Sequence, residues 1–121
     1  MKAELKNIMV VNDFTILPEK YMPSDKNNFY VTLSLNIGPD NDDSSEIFDV
    51  FIKNNYNDDE IYFTYNDIVF SKGTIYLEEY DYQKVINAIK AYINTCIGNS
   101  WIEIAEKLEK VFDWEFENYQ D

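Results

Sequence analysis

The side chains able to carry chemistry in this chain are carboxylates, tyrosines, lysines and one thiol. Histidine and arginine are both absent, and all ten basic residues are lysine. Without imidazole there is no Ser-His or Cys-His pair and no histidine metal ligand. Without guanidinium there is no bidentate clamp for phosphate or carboxylate. Paired carboxylates can hydrolyse glycosidic bonds, but with 23 acids in 121 residues close pairs arise by chance, and none stands out as a catalytic pair. Asp40, Asp42 and Asp43 superficially suggest a calcium loop. The glycine at position six and glutamate at position twelve of an EF-hand loop are missing, so a solvated turn is the better reading. Cys96 falls on the apolar side of a helical pattern, where a buried, inert thiol is expected. The three glycines sit at turns and a helix end, which leaves no phosphate-binding loop. The expectation is a chain that is not an enzyme and needs no cofactor or metal.

What remains is a binding chemistry. Tyr56, Tyr62, Tyr65, Tyr76, Tyr80 and Tyr82 are interleaved with Asp58, Asp59, Glu60, Asp67, Glu78, Glu79 and Asp81. Tyrosine mixed with acid suits a partner-facing surface, because the ring buries area at low entropic cost. The plainer reading is that half of these tyrosines are ordinary strand residues. Tyr56, Asp58, Asp59, Glu60, Tyr62, Glu78 and Glu79 are the candidate partner-binding residues, since their stretches alternate Tyr with carboxylate and lack a core pattern. A competing acidic site is Asp113, Glu115 and Glu117. The net charge of −13 repels nucleic acid and anionic membrane and draws basic partners in. No run of 18 apolar residues is present to span a bilayer, the first residues carry no signal-peptide core, and a lone cysteine suits a cytoplasmic protein. Nothing in the pattern sets the oligomeric state.

The elements that must position these residues are legible from periodicity. Residues 1–11 read as a first strand. Residues 29–37 alternate strictly, with Phe29, Val31, Leu33, Leu35 and Ile37 on one face and Tyr30, Thr32, Ser34 and Asn36 on the other. A polar turn at 38–45 leads to a strand at 47–52, which makes an antiparallel hairpin. Residues 54–66 have no assignable pattern, and a second hairpin spans 67–79 around Lys72-Gly73. Val85, Ile86, Ile89, Ile93, Cys96 and Ile97 recur at three and four, predicting a helix over 82–97 with Asp81 as N-cap and Gly98 as the C′ residue. Ser100 and Glu103 form a capping box for a second helix whose stripe is Trp101, Ile104, Ala105, Leu108, Val111 and Phe112. Trp114-Glu115-Phe116-Glu117 alternates as a short last strand or extended tail. The expected architecture is one α+β domain over 1–121: an antiparallel sheet of about four to five strands, with two consecutive C-terminal helices packed on one face.

Several stretches resemble the bacterial immunity protein 8 family of polymorphic-toxin systems. They are Met1-Lys2-Ala3-Glu4, Ile37-Gly38-Pro39, Phe48-Asp49-Val50, Glu78-Glu79-Tyr80-Asp81-Tyr82 and Tyr92-Ile93-Asn94-Thr95-Cys96. The match continues through Gly98, Trp101, the 103–108 run and Trp114-Glu115-Phe116-Glu117. Residues 54–66 depart from it, lacking the Pro-Trp-containing helical segment of the family pattern. The resemblance implies a non-enzymatic protein that binds and blocks a cognate toxin domain, which the acidic charge suggests is basic. The rival expectation is an acidic adaptor or nucleic-acid mimic that regulates a basic host protein.

Overall fold

The alternation of residues 29–37 becomes a strand whose inward side chains, Val31, Leu33, Leu35 and Ile37, are almost wholly buried. It is the second strand of the chain in a computed structural model that describes residues 1–57 and 59–115. The elements run β1 (Ala3–Val10), β2 (Tyr30–Pro39), β3 (Glu46–Lys53), β4 (Phe63–Tyr65), β5 (Ile68–Ser71), β6 (Thr74–Tyr76), α1 (Tyr82–Thr95), α2 (Trp101–Leu108) and β7 (Asp113–Trp114), with a 3-10 turn at Pro18–Lys20.

The α+β class is as expected, but the sheet is neither purely antiparallel nor of four to five strands. Among the described residues, seven strands pair in the order β1-β2-β3-β6-β5-β4, with β7 also against β3. β1, β2 and β3 are antiparallel neighbours, and β4, β5 and β6 form a second antiparallel set. The two sets join through β3 and β6, which run parallel with Ile52 beside Ile75. A parallel pair needs a long crossover, and residues 54–73 supply it. The segment without a readable pattern, 54–66, is the first part of that crossover and carries the unexpected strand β4, while the expected strand β5 completes it. β7 pairs with β3 at Phe48 and Asp49, below the stretch that β6 occupies. It begins one residue before the expected tail strand; Phe116 and Glu117 lie outside the described residues.

Period-two alternation sends every second side chain to the helical side. The registers align Val31, Ile52, Ile75, Phe70 and Phe63 in one inward row across five strands. Helix α1 lies against both β1 and β4, the two ends of the strand order, so the sheet curls around it. Its buried face is Val85, Ile86, Ile89, Tyr92 and Ile93. The Tyr92 ring stands 5.2 Å from Phe63, 5.9 Å from Phe70 and 5.7 Å from Phe112. Cys96 is 1 % exposed, and burial pushes its thiol pKa up, as an inert core cysteine requires.

The caps explain where the helices begin. The Asp81 carboxylate accepts the Lys84 N–H at 3.1 Å, and the Ser100 hydroxyl accepts the Glu103 N–H at 3.3 Å. The return contact of the capping box falls one residue early: the Glu103 carboxylate accepts from the Asn99 N–H at 2.8 Å. The expected glycine C′ cap is not formed, because α1 ends at Thr95 and Gly98 does not have a positive φ. Gly98 serves close approach instead. A Cβ there would lie 2.9 Å from the Glu103 carboxylate and 3.0 Å from its Cβ, so the turn between the helices admits only glycine without a shift.

Candidate functional site

The crossover brings residues 54–57 and 59 back over β6, and tyrosines and carboxylates meet there. Tyr76 points away from the helices yet is only 4 % exposed, because the Tyr56 ring packs edge-on against it at 5.2 Å. The Tyr76 hydroxyl donates to the Asp59 carboxylate at 2.5 Å and lies 3.1 Å from Asn57 Oδ1. The Tyr56 hydroxyl donates to the Asp59 carbonyl. Desolvation first, and the Asp59 carboxylate second, push the Tyr76 phenol up to about 12. Asn54, buried at the end of β3, ties this corner to the preceding loop: its side-chain oxygen accepts the Phe29 N–H at 3.3 Å and its amide donates to the Asn27 carbonyl.

Two clefts meet beside this corner. One, of about 500 Å³, has Asn55, Tyr56, Tyr76, Asp67 and Glu78 in its wall. The other, of about 980 Å³, includes Asp67, Glu78, Glu79, Lys84 and Asn87 and opens toward the start of α1. Asp67, Leu77 and Glu78 belong to both, so the two form a continuous groove. Its carboxylates outnumber its cations. Lys84 stands on the rim, and Glu79 is paired with Lys26 at 3.2 Å between side chains that are both more than half exposed. The groove therefore suits a cationic partner group.

The structure unites part of the candidate set. Tyr56 and Asp59 share the Tyr76 corner, and Glu78 and Glu79 line the adjoining groove. Glu60 and Tyr62 are exposed and pair with each other at 3.0 Å, a bond that raises the Tyr62 pKa. They are not in the wall of either cleft. Asp58 lies outside the described residues. Of the other tyrosines in the cluster, Tyr65 and Tyr76 are strand residues, whereas buried Tyr80 lies in the loop before α1 and half-buried Tyr82 begins that helix, so the strand reading holds for two of the six rather than half. Tyr65, Asp67 and Tyr76 also line the groove; all three stand in the interleaved stretch but outside the candidate set. Tyr76 had a signal, since the alternation of Ile75, Tyr76 and Leu77 puts it on the face opposite the core. Asp67 had only its place in that stretch, because its position at the groove depends on the turn between β4 and β5.

The competing acidic positions are separated from this groove. Asp113 in β7 pairs with Asp49 on the other stretch of β3 and has its carboxylate against Gly73, while Glu117 is outside the described residues. In the hairpin turn the Asp42 carboxylate is engaged locally: it accepts the Ser44 N–H at 2.8 Å and its hydroxyl at 2.5 Å, which lowers its pKa. Lys6 donates to the Asp42 carbonyl. Among the described residues, no cluster of acids, cysteines or histidines is arranged to hold a metal ion, and no helix is long and apolar enough to cross a membrane. The arrangement offers hydrogen-bonding tyrosines and an excess of carboxylates over cations at a surface groove.

A family model described as immunity protein 8 matches residues 3–119. No curated protein and no solved structure matches the chain.

Proposed function

The chain belongs to the immunity protein 8 family, and on that premise we propose that it binds and neutralises a cognate toxin domain of basic charge. The family match over 117 residues carries this reading, and the net charge of −13 agrees with it. The protein protects the producing cell by occupying the toxin's active site or its surface, with no catalysis and no cofactor of its own, and does so in the cytoplasm where the toxin would act. The acid-rich groove supplies the electrostatic half of the encounter. Tyr56, Asp59, Glu78 and Glu79 face incoming cations, Glu60 and Tyr62 extend that surface along the approach to β4, and Asp58 belongs to the same acidic stretch. Complementary fields of this kind raise association rates and reject partners of like charge, nucleic acid among them.

An acidic regulator of a basic host protein would carry the same charge, but the family match favours a toxin. Titration calorimetry against a catalytically inactive variant of the toxin domain encoded beside this gene tests the proposal. A saturable one-to-one complex whose affinity falls with added salt is expected. Heat indistinguishable from dilution at every salt concentration would refute it.

A further inference from the structure

The side of the sheet opposite the inward row carries its own rows. The registers place Tyr30, Lys53 and Tyr76 side by side in one, and Thr32, Phe51 and Thr74 in the next. Val11, the residue after β1, continues the second row, its N–H donating to the Thr32 carbonyl at 2.9 Å. These residues are exposed or half-buried, apart from Tyr76 beneath Tyr56. Tyr30 is 53 % exposed, and Met9 and Val11 are each 40 % exposed. The Tyr30 and Phe51 rings lie 5.2 Å apart, tilted by 32°, with the Lys53 ammonium 5.8 Å from the Tyr30 centroid. Two touching aromatics flanked by Met9 and Val11 on an open sheet form an apolar patch of the kind that marks an interaction site.

Resting on the immunity reading, we infer that this sheet face is the surface on which the toxin is held, with Tyr30 and Phe51 as its anchors. The intended occupant is a basic domain that presents an apolar area rimmed by cations. Two observations select it. The patch is continuous with the acid groove, because Lys53 pairs with Tyr76 and Tyr76 packs against Tyr56 and Asp59. A partner seated on the sheet thus brings its rim cations over carboxylates. A second copy of this chain is disfavoured, because its own charge of −13 would face the same charge. The two surfaces then divide the work. Charge in the groove governs arrival, and desolvated aromatics on the sheet govern departure, as anchor residues generally do.

Stopped-flow association and dissociation with the inactive toxin domain separate these roles. The Tyr30→Ala variant should dissociate roughly 30-fold faster, an anchor's 2 kcal/mol converted at 1.4 kcal/mol per decade. Its association rate and salt slope should match the parent chain. Tyr30 is more than half exposed, so the variant should fold; Met9→Ser on the same face provides a second reading with a smaller effect. If the parent chain binds while both variants dissociate within twofold of it, the sheet face is not the holding surface and the immunity reading stands. If the parent chain does not bind at all, the immunity reading fails and takes the surface with it. Sedimentation in 1 M salt, where repulsion is screened, should find a monomer. A dimer there that Tyr30→Ala dissolves would identify a second copy as the occupant and overturn the inference.

Discussion

Neutralising Glu78 and Glu79 together, as the Glu78→Gln, Glu79→Gln double variant, separates steering from folding. Both side chains are exposed on the groove wall. The described contact that is lost is the Lys26–Glu79 ion pair at 3.2 Å, between side chains 53 % and 58 % exposed. Pairs so exposed contribute about 0.2–1 kcal/mol. At roughly 2.1 cal/mol/K per residue, a chain of 121 residues unfolds with an entropy near 0.25 kcal/mol/K, so Tm should fall by at most about 4 °C. Relief of repulsion within a chain of charge −13 acts in the opposite direction. The kinetic effect is larger. A partner cation arriving within roughly 7 Å of each carboxylate gains about 0.6 kcal/mol per pair in water. Losing two such pairs slows association by about sevenfold at low salt. Screening over a Debye length near 8 Å reduces the effect to about twofold at physiological ionic strength. Stopped-flow association with the inactive toxin domain at two salt concentrations reads this directly, with the dissociation rate as internal control. Unchanged association rates in a folded double variant, beside a large loss on neutralising Glu115 and Glu117, would move the steering surface to the C-terminal stretch.

The fold makes its own predictions. Ser100→Ala removes the hydroxyl that accepts the Glu103 N–H and should cost about 1 kcal/mol, or roughly 4 °C in Tm; a thermal midpoint within 1 °C of the parent would rule the cap out. Phe70→Ala empties a site that is 0 % exposed and touches Phe63 and Tyr92. A loss of about 3–5 kcal/mol by urea denaturation is expected, and a loss below 1 kcal/mol would contradict the packing described. Tyr76 and Tyr80 are both pushed up to about 12 from 10.0, chiefly by burial. A folded pKa above the unfolded one means that the folded state holds the proton longer. Stability from these groups is therefore complete below pH 10 and declines as pH rises from 10 through 12. Absorbance at 295 nm should show a late-titrating tyrosine fraction that merges with unfolding; complete ionisation by pH 10.5 in a folded chain would refute it.

Sequence patterns revealed elements whose own periodicity decides them. The alternation of residues 29–37 and the three-four spacing of Val85, Ile86, Ile89 and Ile93 each require one buried face, so β2 and α1 fall close to where they were expected. Pairing between distant strands leaves no such trace. Ile52 and Ile75 are apolar whether β3 and β6 run parallel, antiparallel or apart, so the mixed sheet was not visible. β4, three residues long, is too short for any period to register, whereas the last strand was signalled by the alternation that begins at Trp114. Gly98 illustrates a different ambiguity, since a glycine after a helix can serve left-handed backbone or close packing, and only the position of Glu103 decides. The site divides in the same way. Interleaved tyrosine and acid marked the stretch, but the union of Tyr56 and Asp59 with Tyr76 and their separation from Tyr62 depend on how the crossover folds back over β6.

Protection of a cell from a cognate toxin is read out by co-expression. Cells carrying the active toxin domain encoded beside this gene, under inducible control, are plated with and without this chain. Growth should be restored by the parent chain and lost again when Tyr30→Ala is combined with the Glu78→Gln, Glu79→Gln pair. Equal killing with and without the parent chain, at verified soluble expression of both proteins, would contradict it.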